Sequence, residues 1–118
     1  MEAILYKNKT VQEYFENPSL VKKDFNVQLA KKIAQRMDEL RSLSTVYDLL
    51  NCGIDNPHLL IGDLDGCIGW DLTGPIRVIL RAADGFSEDF MSKCKDIKTI
   101  EVEGVRDYHG GNKKWIIN

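Results

Sequence analysis

The feature that most constrains the fold of this chain is a change in the period of its hydrophobic residues. Residues 19–43 carry apolar side chains at intervals of three or four, the period of an amphipathic helix: Val21, Phe25, Leu29, Ile33, Met37 and Leu40. After Pro57, short apolar runs separated by glycine and proline are typical of strands. N-terminal helices packed on a small, twisted, mainly antiparallel sheet would bury both patterns, so the sequence predicts an α+β fold.

The other segments predict a first strand and several short helices. Residues 3–6 form an apolar run suited to a strand, and residues 10–13 have the Thr-x-x-Glu spacing of a capping box, which predicts a helix ending near Glu16. Ser19 is a candidate cap for the next helix, and residues 44–50 predict one or two further helical turns. Strands are predicted over 58–61, 67–72, 76–82 and 98–105, with a turn at 83–86 and a helical turn or long loop at 87–93.

Length and cysteine content favour one reduced globular domain. A chain of 118 residues is long enough for a single domain over 1–118. It has no apolar run of the roughly 20 residues that span a bilayer and no signal-peptide pattern, so a cytoplasmic location is expected. The three cysteines lack the spacing of a zinc site or a disulfide framework, and no metal or other cofactor is expected: Cys52, Cys67 and Cys94.

The charges are unevenly distributed along the chain. Residues 1–43 carry eight Lys and Arg against six Asp and Glu, a net of +2, whereas residues 44–118 carry eight against twelve, a net of −4. Proteins that bind RNA usually gain affinity from clustered cations. A basic face is therefore expected mainly from the N-terminal half, although the same residues would also suit a solvated helix surface: Lys22, Lys23, Lys31, Lys32, Arg36 and Arg41.

The two histidines lie in short motifs that contain chemically useful residues. The first motif reads His-x-Leu-x-Gly-Asp-x-x-Gly from His58 to Gly66, and the second is Asp107-Tyr108-His109. Between them, Arg77 lies near the start of a predicted strand. The residues that form the motifs are His58, Leu60, Gly62, Asp63, Gly66, Arg77, Asp107, Tyr108 and His109.

These residue types suit the cleavage of RNA. Attack by a ribose 2′-hydroxyl on the adjacent phosphate requires a base, a proton donor and a positive group on the phosphate, and the unperturbed pKa of histidine, about 6.5, suits either proton role. In an extended chain Asp107 shares a face with His109 and could orient its ring or act as base. Tyr108 could stack on a base if the strand has ended. Arg77 offers a planar fork to phosphate oxygens, but it could instead pair with Asp71 across a hairpin.

Taken together and in this order, the motifs resemble those of the HigB branch of the RelE/ParE toxins. The resemblance implies the toxin of a toxin–antitoxin pair, a metal-independent endoribonuclease that cuts mRNA on the ribosome. It also implies that His58, Asp107 and His109 transfer protons, that Arg77 holds the phosphate and that Tyr108 positions the mRNA. The implied partners are a HigA-like helix-turn-helix antitoxin, in a toxin–antitoxin heterotetramer, and the ribosome with its mRNA.

Some positions depart from this pattern and leave alternatives open. The family often has basic residues where this chain has Ile61, Leu64 and Thr73, although Lys113 and Lys114 could replace them in binding RNA if the tail folds back. The loss of cations would suit a non-enzymatic, ParE-like poison of DNA gyrase. The acidic isoelectric point, about 5.7, would suit a degenerate toxin retained as an antitoxin-binding or regulatory module. A metal hydrolase using His58, Asp63 and His109 is a further alternative, but the ligand spacing is unusual. Residues 115–117 suit an extra strand or an oligomer contact.

Overall fold

The computed structural model describes residues 1–83 and 89–118, which form helices packed on one face of a mixed sheet. The helices are α1 Lys9–Glu16, α2 Pro18–Asp24, α3 Val27–Ser42, α4 Val46–Leu50 and α5 Phe90–Lys93. The strands are β1 Ala3–Tyr6, β2 His58–Leu59, β3 Cys67–Thr73, β4 Ile76–Ala82, β5 Thr99–Asp107 and β6 Lys114–Ile117. Two 3₁₀ turns cover Gly62–Leu64 and His109–Gly111. The predicted α+β fold is confirmed.

The sheet runs in the order β1-β5-β4-β3-β2, and β6 pairs with the end of β5. Among the described strands, β1 pairs with β5 in parallel and the other pairs are antiparallel. β1 and β6 both lie along β5, since β1 pairs with its first residues and β6 with its last. The sheet is therefore mainly antiparallel, with β5 as a long inner strand.

The two faces of the sheet are covered differently. Alternate residues of β4, such as Val78 and Leu80, pack under the helices in the main core, whereas Ile79 between them points to the opposite face. A small second cluster lies on that opposite face: Leu60, Cys67 and Ile79 with Leu64, Tyr108 and Trp115. We call this side of the sheet the open face, because the helices do not cover it.

The helix boundaries differ from the predicted ones where asparagine caps a helix. Asn26 divides the predicted helical segment 19–43, because its side chain accepts a hydrogen bond from the backbone N–H of Leu29 (2.8 Å) and begins α3. Asn8, rather than Thr10, caps α1, with its side chain 2.9 Å from the backbone nitrogen of Val11. Ser19 does not cap α2, which begins one residue earlier at Pro18.

The strands are close to their predicted positions except at β2. The predicted strand 58–61 is paired only over His58–Leu59, because the chain then turns into the 3₁₀ turn Gly62–Leu64. The tail forms the strand β6, one of the two arrangements expected for it. Residues 84–86 of the predicted turn and 87–88 of the following segment lie outside the described residues. Within the described part of the chain, no helix has the length and hydrophobicity needed to cross a membrane.

Candidate functional site

Four side chains form a row across the open face at the end where β5 and β6 pair. Asp71 of β3 lies opposite Arg77 of β4, which lies opposite Arg106 of β5, which lies opposite Trp115 of β6. Two arginines directly opposite each other repel unless nearby groups compensate their charge. The row therefore requires the acidic and aromatic neighbours that surround it.

Arg77 is fixed by an acid and an aromatic ring. Its Nε donates a hydrogen bond to Oδ1 of Asp71 (3.0 Å), so the hairpin pairing considered as an alternative is present. Its guanidinium carbon also lies 4.6 Å from the centroid of the Tyr108 ring. Both contacts restrict a long side chain that would otherwise sample many rotamers, and they leave a half-buried cation on the open face.

Arg106 is a candidate site residue that the sequence motifs did not indicate. It is only 6% exposed, and its guanidinium carbon lies 5.6 Å from the Tyr108 ring centroid and 5.3 Å from that of Trp115. Its Nη2 donates to Oδ2 of Asp63 at 2.7 Å. Its Nε and Nη1 are buried and have no hydrogen-bond partner among the described residues. Such unsatisfied donors are unfavourable and mark Arg106 as unusual.

The first histidine motif shapes the turn that carries Asp63. Gly62 (φ 84°) and Gly66 (φ 86°) adopt the left-handed conformation that favours glycine, and Leu60 packs in the small cluster of the open face. Asp63 binds Arg106 and also lies 3.8 Å from Nζ of Lys113. The hydrogen bond from Arg106 is the main reason that the pKa of Asp63 is lowered from its ordinary value.

The second motif forms a turn at the end of β5. The strand ends at Asp107, whose Oδ1 accepts a hydrogen bond from the backbone N–H of His109 (2.8 Å). The backbone N–H of Tyr108 donates to the carbonyl of Pro75 (2.9 Å), while its ring lies over both arginines. Asp107 thus holds the backbone of His109 rather than its ring, and the exposed His109 begins the turn beside Tyr108.

His58 lies on a different part of the sheet. It pairs with Gly69 of β3. Gly69 pairs with Ile79 of β4, and Ile79 pairs with Gly104 of β5. Three strand spacings of about 4.8 Å separate His58 from β5, roughly 14 Å. Its Nδ1 lies 2.8 Å from the carbonyl oxygen of Asn56, which can only accept, so Nδ1 carries a proton. The register therefore does not bring His58 beside the turn that holds His109.

The tail folds back and contributes to the site. β6 places Lys114 opposite Asp107, and Lys113 just before it reaches Asp63. The cations at the site therefore come from the C-terminal half of the chain, and the expectation that a basic face comes mainly from the N-terminal half does not hold at this site. Arg36 of that half is instead buried, where it pairs with Glu39 and Asp55 and contacts Trp70. It supports the core and does not extend a basic face.

The positions that lack the expected cations have other neighbours. Ile61 is 85% exposed at the rim of the open face, Leu64 packs in the small cluster, and Thr73 accepts a hydrogen bond from Gln28. No group of three His, Cys, Asp or Glu within the described residues is arranged to hold a metal ion. The metal-hydrolase alternative thus gains no support, since Asp63 pairs with Arg106 instead.

The opposite end of the open face is acidic. Arg81 donates from Nε to Oε1 of Glu103 (3.1 Å), and Glu103 is 7% exposed. Burial raises the pKa of Glu103, and hydrogen bonding to Glu101 raises it further, whereas Arg81 opposes the shift. Burial likewise raises the pKa of Cys67, so this thiol is not an activated nucleophile. The open face is thus divided into a basic, aromatic end and an acidic end.

Comparison with known proteins identifies the fold. No protein-family model matches this sequence, and no curated protein sequence is significantly similar to it. The structure is similar to that of a YoeB/ParE toxin from Agrobacterium tumefaciens, with a TM-score of 0.50 and 13% sequence identity over 96% of each chain. The chain thus has a fold of the RelE/ParE type, as the sequence resemblance implies.

Proposed function

We propose that this chain is the toxin of a type II toxin–antitoxin system and that residues 1–118 act as one toxin domain. The similarity in fold to a YoeB/ParE toxin supports the toxin assignment. Within that assignment, we propose a HigB-like endoribonuclease that cuts mRNA on the ribosome without a metal. The observation that carries this proposal is the pair of arginines, Arg77 and Arg106, in contact with the Tyr108 ring on the open face.

The proposed reaction uses the basic end of the open face to hold RNA. Arg77, Arg106 and Lys113 bind the scissile phosphate and stabilise the charge that develops on it. Tyr108 and Trp115 offer aromatic rings on which unpaired bases stack. Lys114, on the exposed end of β6, adds a phosphate contact next to this surface.

Proton transfer is proposed for the histidines and Asp107. One group removes the proton from the ribose 2′-hydroxyl, whose oxygen forms a bond to phosphorus as the bond from phosphorus to the 5′-oxygen breaks. A second group donates a proton to that leaving oxygen, and the product is a 2′,3′-cyclic phosphate. His109 directly follows Tyr108, whose ring contacts Arg77, so we propose it as the main proton-transfer group. Asp107, which holds the backbone N–H of His109, is the second proposed proton-transfer group. By its register His58 lies too far from this turn to reach the same phosphate, so it takes part only if β2 moves toward the turn.

The proposed partners follow from the proposed function. A toxin of this type is expected to bind a HigA-like helix-turn-helix antitoxin, in a heterotetramer of two toxins and two antitoxins, and to act in the cytoplasm on the ribosome and its mRNA. We propose no membrane partner.

Primer extension on mRNA from cells that express this chain tests the proposed function. The chain should produce cuts within translated codons, and His109→Ala should abolish them. Asn112→Ala is the matched control, because Asn112 is exposed and ends the same turn. Cuts that persist in His109→Ala would remove His109 from the mechanism, and intact mRNA with the unaltered chain would contradict the endoribonuclease.

A ParE-like poison of DNA gyrase is the second candidate function. The separation of His58 from the turn of His109 favours it, because a non-enzymatic toxin does not need two histidines at one phosphate. The apolar residues Ile61 and Leu64 also favour it. Growth arrest with intact mRNA, together with inhibition of DNA supercoiling by purified gyrase, would support this candidate. A chain that neither arrests growth nor cleaves RNA would instead be a degenerate, antitoxin-binding module.

A further inference from the structure

Arg106 is a buried cation whose hydrogen-bond donors are only partly satisfied, as expected of a residue that binds an anion. It is 94% buried, yet two of its nitrogen atoms, Nε and Nη1, have no hydrogen-bond partner among the described residues. The rings of Tyr108 and Trp115 that it contacts do not accept ordinary hydrogen bonds from these nitrogens. The remaining nitrogen, Nη2, binds Asp63. A guanidinium has five N–H groups, and one carboxylate at this distance satisfies only part of them.

Asp63 lies where a bound anion is expected. Its two carboxylate oxygens bridge Arg106 and Lys113, at 2.7 Å and 3.8 Å respectively. About half of its side chain is exposed, whereas the side chain of Arg106 is 7% exposed, so Asp63 is the solvent-exposed partner of this pair. A phosphate group has more acceptor oxygens than a carboxylate and satisfies a guanidinium more fully.

The turn that carries Asp63 is built in a way that allows the carboxylate to leave. Gly62 and Gly66 flank it in left-handed conformations, and Ile61 beside it is 85% exposed. Leu64 is the residue of this turn that packs in the small cluster of the open face. The Asp63 side chain lies outside the main core under the helices, so its displacement leaves that core in place.

We propose that Asp63 is the internal occupant of a latent phosphate-binding site formed by Arg106 and Lys113, and that a phosphate group enters by displacing it. The assignment of that phosphate to RNA rests on the proposed function. The site itself requires only a phosphate group of suitable size. Asp63 competes with the ligand, so its removal strengthens binding even though it removes an ion pair from the free protein.

Direct binding to the full chain tests this site without ribosomes. The probes are pyrophosphate and a 2′-O-methyl RNA trinucleotide, which has no free 2′-hydroxyl to attack its own phosphate. Asp63→Asn should bind both probes at least about fivefold more tightly than the unaltered chain. Asp65→Asn is the matched control, since it makes the same change in net charge at an exposed position on the same turn. It should bind like the unaltered chain.

A further variant and a spectroscopic measurement separate the site from a general effect of charge. Arg106→Lys added to Asp63→Asn keeps the positive charge, loses the planar fork and should abolish the gain. In the unaltered chain, saturating pyrophosphate should shift the NMR signals of the Arg106 Nε–H group and the Asp63 carboxyl carbon together. This second measurement applies even if Asp63→Asn does not fold.

The outcomes are distinct from those that test the proposed function. Equal binding by Asp63→Asn and Asp65→Asn, or unshifted Arg106 and Asp63 signals at saturation, would overturn the latent site even if the chain cleaves mRNA. Tighter binding by Asp63→Asn would support the site even if mRNA remains intact in cells. A trinucleotide that binds no more tightly than pyrophosphate would overturn the assignment of the phosphate to RNA.

Discussion

The ring of Tyr108 lies over the guanidinium of Arg77, with 4.6 Å between the ring centroid and the guanidinium carbon. The contact joins the beginning of β4 to the turn after β5, because the strand ends at Asp107 and the backbone of Tyr108 binds the carbonyl of Pro75. The contact therefore brings Arg77 and the Asp107-Tyr108-His109 motif, which are separate in the sequence, onto one surface.

Tyr108 is expected to bind RNA through its ring. Tyr108→Ala should weaken binding of a non-cleavable RNA oligonucleotide by roughly tenfold, since stacking of a base on an aromatic ring contributes about 1–3 kcal/mol. Tyr108→Phe keeps the ring and its contacts with Arg77 and Arg106, so it should bind within about twofold of the unaltered chain. Fluorescence anisotropy measures both. A loss in Tyr108→Phe as large as that in Tyr108→Ala would show that the hydroxyl, not the ring, binds RNA.

Arg77 is expected to act through its planar guanidinium as well as its charge. Arg77→Lys should lower the rate of mRNA cleavage at least about tenfold, because lysine cannot bind phosphate oxygens as a planar fork. Arg81→Lys is the matched control, since Arg81 is on the same face of β4 and pairs with Glu103 at the acidic end. Cleavage rates measured with purified ribosomes compare the two variants. Similar losses in both would contradict a specific role for Arg77.

Gly104 is expected to be required for the position of β6. Its φ of 148° is accessible to glycine but strained for residues that have a side chain. An added Cβ would also overlap the carbonyl oxygen of Ile117. Gly104→Ala should lower the free energy of unfolding by more than about 2 kcal/mol and displace the tail that carries Lys113. Gly110→Ala is a control at a left-handed position with no atom near an added Cβ, and its smaller loss should be about 1–2 kcal/mol. Urea unfolding measures both, and equal losses would contradict the steric argument.

The pH dependence of stability should include opposite contributions from Glu103 and Asp63. Burial raises the folded pKa of Glu103 above its ordinary 4.5, so its stabilising contribution is present below 4.5 and is lost as pH rises through the folded pKa. The folded pKa of Asp63 lies below its ordinary 3.8, so its contribution is present above 3.8 and is lost as pH falls through the folded pKa.

Urea unfolding at several pH values separates these two contributions. Glu103→Gln should remove the part of the decline in stability that begins above pH 4.5, because glutamine resembles the protonated acid. Asp63→Asn should instead flatten the loss of stability on the acid side of pH 3.8. If Glu103→Gln leaves the slope above pH 4.5 unchanged, Glu103 is not a source of the pH dependence.

The sequence predicted the layers of the fold because a hydrophobic period reports which side of an element is buried. The stripe from Val21 to Leu40 and the alternation of residues 98–105 each require a covered face, and a covered face is found for both. Phe25 is the exception in the stripe, since it lies at the end of α2 and is 36% exposed. The exact start of a helix was harder to predict when two neighbouring residues could cap it. Thr10 and Asn8 are both suitable caps for α1, and the structure shows that Asn8 has the extended conformation of the cap.

The candidate site was predicted only in part because its key contacts join distant segments. Arg77 and Tyr108 were identified from motifs, but Arg106 looks in sequence like an ordinary polar residue on a strand. Its burial results from β6, which folds back on β5, and from the Asp63 turn, which lies 43 residues earlier in the chain. The sequence offered one indication of its role. Arg106 directly precedes the Asp107-Tyr108-His109 motif, so it lies at the same end of β5 as that motif.

Cleavage of a defined mRNA on purified ribosomes, with the ends of the products identified chemically, tests the proposed reaction. We expect cuts in the codon occupying the A site, 2′,3′-cyclic phosphate at the upstream product, and no cut when the attacking ribose is 2′-deoxy. We also expect no cut with Arg106→Lys. Intact mRNA, or cleavage that persists at a 2′-deoxy position, would rule out attack by the 2′-hydroxyl in this protein.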